Sequence, residues 1–254
     1  MALRLLSIDN CFDPAVLSAL SDLTCPTSET IAIKFNSYGY NSMDDWYNLF
    51  SSIYTKETRH FQFDLSLKHA DWWEISNQPS KESSYAYSTT QQPFHNDNAW
   101  FSDPAEINLF YMKKQVPVGG EQLFYPVSRL LNDLQHDDPS LLQDLLNTPV
   151  TIKKGDECYE NKTPILTLQD GGHSYWNYYR TVKDNAFIHS LCDRFFDYLS
   201  HKWLSSSVIV MKMMSGDTAV FDDRRTLHAR NSFLATEPYQ RVLFQSMWRI
   251  NPLS

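Results

Sequence analysis

Short strand-like segments stand near both ends of this chain, and helices are inserted between them. The extended stretches are IAIKF (31–35), EINLFYMKKQV (106–116), VPVGGEQLFYP (116–126), TPILTL and HSYWNYYR within 163–180, VIVMKMM and DTAVFDD divided by the Ser215–Gly216 turn, and QRVLFQSMWRI (240–250). Helical spacing begins after Ser42, where Trp46, Leu49, Phe50 and Ile53 share a face and Ser42 with Asp45 makes a capping pair. It resumes at Val127, Leu130, Leu131 and Leu134, and again after Pro139. It is clearest over 185–203, where Ile188, Leu191, Cys192, Phe195, Leu199 and Trp203 form one apolar stripe. A parallel doubly wound sheet would show regular strand–helix alternation, which is missing. The pattern fits a mainly β fold, a double-stranded β-helix or jelly roll braced by α-helices, covering 1–254 as one domain. The polar, irregular stretch 61–92 is expected to be a lid or surface loop.

Composition narrows the partners. The 254 residues carry a formal charge of −8, so no basic surface for nucleic acid is expected. No window approaches the ~18 apolar residues of a membrane span, and the start MALRLLSIDNCFDPAV lacks an apolar run after a basic region. Cys11, Cys25, Cys158 and Cys192 form no CxxC pair and are expected to be reduced thiols of a cytoplasmic protein. Oligomeric state is left open.

A mononuclear non-haem iron site needs two His and one carboxylate on one face, with three positions open. H-x-D supplies two such ligands, and the chain has three: His69/Asp71, His95/Asp97 and His136/Asp138. His136/Asp138 lies in NDLQHDDPS, a solvated helix end, and His69/Asp71 precedes a polar loop. His95/Asp97, in QQPFHNDNAWF, follows that loop and precedes two strands, which suits a cavity mouth. The second His is sought on a distant strand. Five histidines remain, His60 among them; His189 and His201 belong to the amphipathic helix, and His173 follows two glycines. His228 follows a strand in GDTAVFDDRRTLHAR and is the preferred partner.

QPFHNDNAWF, PVGGEQLF, GDTAVFDDRRTLHARNSF and QRVLFQSMW, in that order over residues 90–250, resemble the taurine dioxygenase and clavaminate synthase-like oxygenases, the group that includes gamma-butyrobetaine hydroxylase. The resemblance implies iron(II) held by His95, Asp97 and His228. It implies 2-oxoglutarate as cosubstrate, its distal carboxylate held by Arg241, thirteen residues after His228. A buried carboxylate wants the planar fork of Arg, and Arg241 stands on an otherwise apolar strand. The implied activity is oxidation of a C–H bond of a small molecule, chiefly hydroxylation with desaturation as a variant, while O₂ converts 2-oxoglutarate to succinate and CO₂. Asp97 argues against halogenation, since related halogenases lack that carboxylate. A non-catalytic jelly-roll binding protein with a remnant metal site is the alternative.

The chain departs from the family pattern twice. Gln122 stands where the family has a Thr that helps hold 2-oxoglutarate, and is expected to take over that contact. Asp223 replaces the Asn of D-N-R and is expected to pair with Arg224 or Arg225. Candidate substrate-binding residues are Gln91, Asn98, Trp100, Trp176, Tyr178, Arg180 and Arg230, with Tyr87, Phe101 and Tyr179 beside them. Arg180 and Arg225 are candidates to meet a carboxylate of a small, amino acid-like substrate.

Overall fold

The computed structural model describes residues 2–37, 40–59, 71–155 and 159–250. The elements run β1 (Leu3–Ser7), α1 (Pro14–Thr24), β2 (Ala32–Asn36), α2 (Met43–Ile53), β3 (Thr55–Lys56), β4 (Trp73–Ser76), β5 (Gln92–His95), β6 (Ile107–Lys114) and β7 (Gln122–Pro126). They continue with α3 (Val127–Asp137), α4 (Pro139–Asn147), β8 (Pro149–Lys154), β9 (Tyr159–Pro164), β10 (Leu166–Thr167), β11 (His173–Ser174), α5 (Ala186–His201), β12 (Ile209–Met211), β13 (Thr218–Asp222), β14 (Thr226–Arg230) and β15 (Val242–Arg249).

Two sheets make the double-stranded β-helix. The larger has the order β1-β2-β13-β6-β15-β3, with β4 also pairing β15; the smaller is β12-β7-β14-β5. All these pairs are antiparallel except β1 with β2. Alternation along each strand decides what each face meets. In the smaller sheet Leu123, Tyr125, Leu227 and Ala229 face out and pack with α3, α4 and α5. In the larger sheet Ile33, Phe35, Leu109, Val220 and Trp248 pack with α1 and α2. Between the sheets a third cluster joins Phe124 of β7 to Phe110 and Phe221 of β6 and β13, each ring pair 5.0 Å apart for Phe110–Phe221 and Phe124–Phe221. Helices therefore clamp the sandwich from both sides, and inward polar side chains meet in a space between the sheets.

The Ser42–Asp45 capping box forms as the sequence implies: Asp45 N–H donates to Ser42 Oγ at 3.1 Å and Ser42 N–H to Asp45 Oδ2 at 2.8 Å. Helix α5 buries Ile188, Leu191, Cys192, Phe195 and Leu199, while His189 and His201 are exposed. Three expectations change. Within 71–92 the loop contains β4, which adds to β15 through pairs Val242–Ser76 to Gln245–Trp73; residues 61–70, with His69, lie outside the described residues, as do His60 and Cys158. The stretch 163–180 is extended only in the end of β9 and in β10 and β11. Gly171 and Gly172 turn the chain at φ 85° and 108°, and Asn177 closes a turn by accepting from Arg180 N–H at 3.0 Å. His228 sits in the middle of β14, not after a strand.

Candidate active site

His228 and His95 are direct partners in the antiparallel β14–β5 ladder. Facing residues project to the same side, so the two imidazoles stand with ring centroids 4.1 Å apart although 133 positions separate them. Strand β5 ends at His95, and the chain turns through Asn96 and Asp97 into Asn98, whose φ of 57° is left-handed. That turn swings the Asp97 carboxylate back to the histidines: Oδ1 is 3.7 Å from His95 Nε2 and Oδ2 is 3.5 Å from His228 Nε2. One ligand atom from each of His95, Asp97 and His228 lies within 4.8 Å of the others. Of the other H-x-D pairs, His136 is exposed and bonds to Asn132 O, while Asp138 caps α4 and pairs with Arg194. Asp71 pairs with Lys56.

Each of the three candidate ligands has a protein group behind it. His95 Nδ1 lies 2.9 Å from the Pro93 carbonyl, so Nδ1 carries the proton and the Nε2 lone pair faces the cavity. Asp97 Oδ2 accepts from Gln245 Nε2 at 2.6 Å and Asn108 Nδ2 at 3.2 Å. Asn96 ties the turn down by donating to the carbonyls of Asp223 and Thr226 and exchanging two bonds with the backbone of Trp176. Asp223 is placed differently from the sequence expectation. Its Oδ1 is 2.9 Å from His228 Nδ1, and its Oδ2 accepts the Asp97 N–H at 2.8 Å. Arg224 and Arg225 turn instead to Asp222, and Arg225 also donates to the carbonyls of Leu23, Ser28 and Thr30, which removes it from any substrate role.

Burial sets the charges. It lowers His95 to about 4, helped by His228, and lowers His228 as well, so both rings stay neutral and able to ligate. Burial works to raise Asp97, but His228, His95, Gln245 and Asn108 outweigh it and hold the carboxylate below its usual range. Burial, then the charge of Asp97, pushes Asp223 well above that range. Two neutral imidazoles and a carboxylate on one face are the donor set that suits iron(II), and the residues present fit that metal.

The triad opens into a cavity of about 790 Å³ between the sheets. Its lining includes Arg241, only 1% exposed, with Gln122 and Arg230 beside it. Burial, then Arg230, pulls Arg241 down to about 9, and burial pulls Arg230 to about 10. Arg241 Nε is buried and has no hydrogen-bond partner among the described residues. A buried guanidinium in that state suits an incoming carboxylate. Arg230 Nη2 donates to the carbonyls of Ser88 and Thr90, so it also pins the segment before β5.

Among the sequence candidates, Asn98, Trp100, Tyr179, Arg180 and Arg230 line this cavity. Gln91 does not: it is exposed and borders a separate cleft of about 120 Å³ beside α5. Trp176 is fully buried against Phe195, and Tyr178 donates to Asp193 and packs on Phe196, because the turn at 177 sends both toward α5. Tyr87 and Phe101 also lie off the cavity wall, Phe101 in the outer core. Sequence reasoning missed Gln92, Asn108, Lys154, Gln245 and the role of Asp223. Lys154 stands 4.6 Å over the Trp100 ring, and burial, then Arg180, pushes it to about 8. Tyr85 and Tyr179, both on the cavity lining, bond OH to OH at 2.8 Å.

Residues 48–248 match the family model described as taurine catabolism dioxygenase TauD, TfdA family. The chain belongs to that family. The human gamma-butyrobetaine dioxygenase is 25% identical over 173 residues, 62% of this chain and 44% of that protein, so this chain matches under half the length of that relative. Among solved structures, a putative alpha-ketoglutarate-dependent taurine dioxygenase from Burkholderia xenovorans superposes with TM-score 0.69 at 11% identity, covering 98% of this chain and 88% of that one. An asparagine oxygenase in complex with Fe(II), 2S,3S-3-hydroxyasparagine and succinate gives TM-score 0.59 at 15% identity over 72% and 57% of the two chains. These likenesses establish the fold as that of the family's double-stranded β-helix oxygenases.

Proposed function

We propose that this TauD-family chain is an iron(II)- and 2-oxoglutarate-dependent oxygenase that hydroxylates an unactivated C–H bond of a small, carboxylate-bearing, amino acid-like metabolite. The observation that carries the reading is the His95–Asp97–His228 cluster on a cavity that the buried Arg241 also lines. When bound, iron(II) with O₂ and 2-oxoglutarate supplies the oxidising power, the cosubstrate leaving as succinate and CO₂. The chain's own part is positional. His95, Asp97 and His228 would hold the metal, and Arg241 the distal carboxylate of the cosubstrate. Gln245, Asn108 and Asp223 keep those ligands in place. Trp73, Trp100, Tyr85 and Tyr179 wall the cavity and limit water. Lys154 and Arg180 stand on the same wall, and a carboxylate on the substrate fits their charge.

We read the chain as one catalytic domain, supported by a cavity lined from both sheets. The free thiols Cys11 and Cys192, buried and raised to about 11, support a cytoplasmic setting in which thiols stay reduced. Among the described residues no helix is long and apolar enough to cross a membrane.

The test is succinate formation from 2-oxoglutarate with iron(II) and ascorbate over a panel of amino acids and small carboxylates. Turnover that disappears in His95→Ala and His228→Ala supports the reading. Tight 2-oxoglutarate binding without succinate from any panel member favours a binding protein with a remnant metal site.

A further inference from the structure

We infer that Gln122 is a positioning residue: it grips Arg241 and not the cosubstrate, and so fixes the guanidinium that receives the distal carboxylate. This rests on the proposed use of 2-oxoglutarate. Gln122 begins β7 with its side chain turned inward and 3% exposed. In the amide orientation that satisfies both neighbours, its oxygen accepts from Arg241 Nη2 at 2.9 Å and its nitrogen donates to the Ala229 carbonyl at 3.2 Å. The amide is thus stretched between β14 and Arg241, with both ends engaged. A Thr hydroxyl, as the family pattern has here, is too short to make both contacts.

The other sides of Arg241 are also fixed. Its backbone N–H donates to Asn77 Oδ1 at 3.0 Å, and the Phe233 ring lies 5.4 Å from its Cζ. Gly120, at φ 72°, lies under the guanidinium: a Cβ there would come 3.0 Å from Nε, and its carbonyl is 3.5 Å from Nη2. Arginine has five N–H donors in a rigid fork. Gln122 takes one on Nη2, while Nε keeps no hydrogen-bond partner among the described residues. A fork held at one prong presents the rest in a single orientation, which is what a two-point carboxylate contact requires.

The experiment titrates the iron(II)-loaded, full-length protein anaerobically with 2-oxoglutarate and with 2-oxobutyrate, which lacks the distal carboxylate. Binding is followed by the visible metal-to-ligand band and by tryptophan fluorescence. Gln122→Met, close in size but unable to hydrogen-bond, is expected to weaken 2-oxoglutarate about tenfold, the size of one charge-assisted hydrogen bond, and to leave 2-oxobutyrate unchanged. Gln122→Glu places a carboxylate on Nη2, and is expected to cost 2-oxoglutarate more than Gln122→Met does while again sparing 2-oxobutyrate. In an Arg241→Met background, Gln122→Met should add nothing. Equal weakening of both keto acids, or of neither, overturns the inference while leaving the oxygenase reading intact, provided Arg241→Met still weakens 2-oxoglutarate. Undiminished 2-oxoglutarate binding in Arg241→Met overturns the cosubstrate reading and this inference with it.

Discussion

At the cluster end of the cavity each candidate ligand has a protein group behind it: Pro93 behind His95, Gln245 and Asn108 behind Asp97, and Asp223, its Oδ1 2.9 Å from Nδ1, behind His228. Arg241, four residues before Gln245 in the chain, and Arg230 are buried cations on the same cavity, and the Nε of each has no hydrogen-bond partner among the described residues. The Asp97 carboxylate is met by two protein donors, whereas each guanidinium keeps an unmet one. A metal site needs fixed geometry to select its ion. An anion site can leave donors unmet, because the ligand itself supplies the missing acceptors. The two ends should therefore respond differently to the same kinds of change.

The largest expected effect separates them outright. Arg241→Met should weaken 2-oxoglutarate by about 100-fold or more, in line with removing one partner of a buried charged pair, with iron(II) affinity unchanged. Calorimetry of the metal-loaded protein and chelator competition measure the two; a parallel loss of both would mean the ends are one coupled unit. Next, Asp223→Asn should cost about 10-fold to 100-fold in iron(II) affinity, the usual range for a carboxylate behind a ligating histidine, with the fold retained by circular dichroism. An unchanged metal affinity would show that His228 is oriented without it.

A smaller effect concerns pH. Burial pulls His95 down to about 4, against about 6.5 in the unfolded chain. Between those values the unfolded chain binds a proton that the native ring refuses, so the metal-free protein is fully stable on this account above pH 6.5 and loses stability as pH falls. Its melting temperature should drop between pH 7 and pH 5, and His95→Gln should drop less; equal slopes would remove His95 as the cause. The smallest effect runs against intuition. Without ligands, Arg241→Met should melt no lower than the wild type and up to a few degrees higher, because it replaces an under-paired buried cation with an apolar chain. A clear fall would mean that Arg241 stabilises the empty cavity.

How much of this was legible in the sequence follows from how far each contact reaches. The stripe of α5 and the Ser42–Asp45 cap depend on spacings of three and four, and both stand where expected. The cavity wall of the last strand also had a sequence signal. Arg241, Leu243, Gln245 and Met247 recur every second residue, and all four line the cavity, so Gln245 was recoverable from alternation alone. Asp223 was not. Its neighbours in sequence are arginines, the obvious partners, but the turn into β14 sends those to Asp222 and aims Asp223 at a histidine five residues on and at the Asp97 backbone. Trp176 and Tyr178 were misplaced for a related reason. Their polar–aromatic alternation suggests a strand facing the metal, while the turn at Asn177 directs both into the helical layer. The position of β4 on β15 depends on a partner about 170 residues away, which no local pattern encodes.

Strand β15 lies inside the larger sheet, with β6 on one side and β3 and β4 on the other. During synthesis β6 emerges long before β15, and until residues 242–249 follow, that edge of β6 has no strand to pair with. An unpaired apolar edge invites association with other chains, and a pairing that spans about half of the chain is slow to form. The nascent chain thus passes through a long interval in which the sheet is open, and a chaperone that shields β6 should raise the yield of folded protein more than it raises the folded protein's stability.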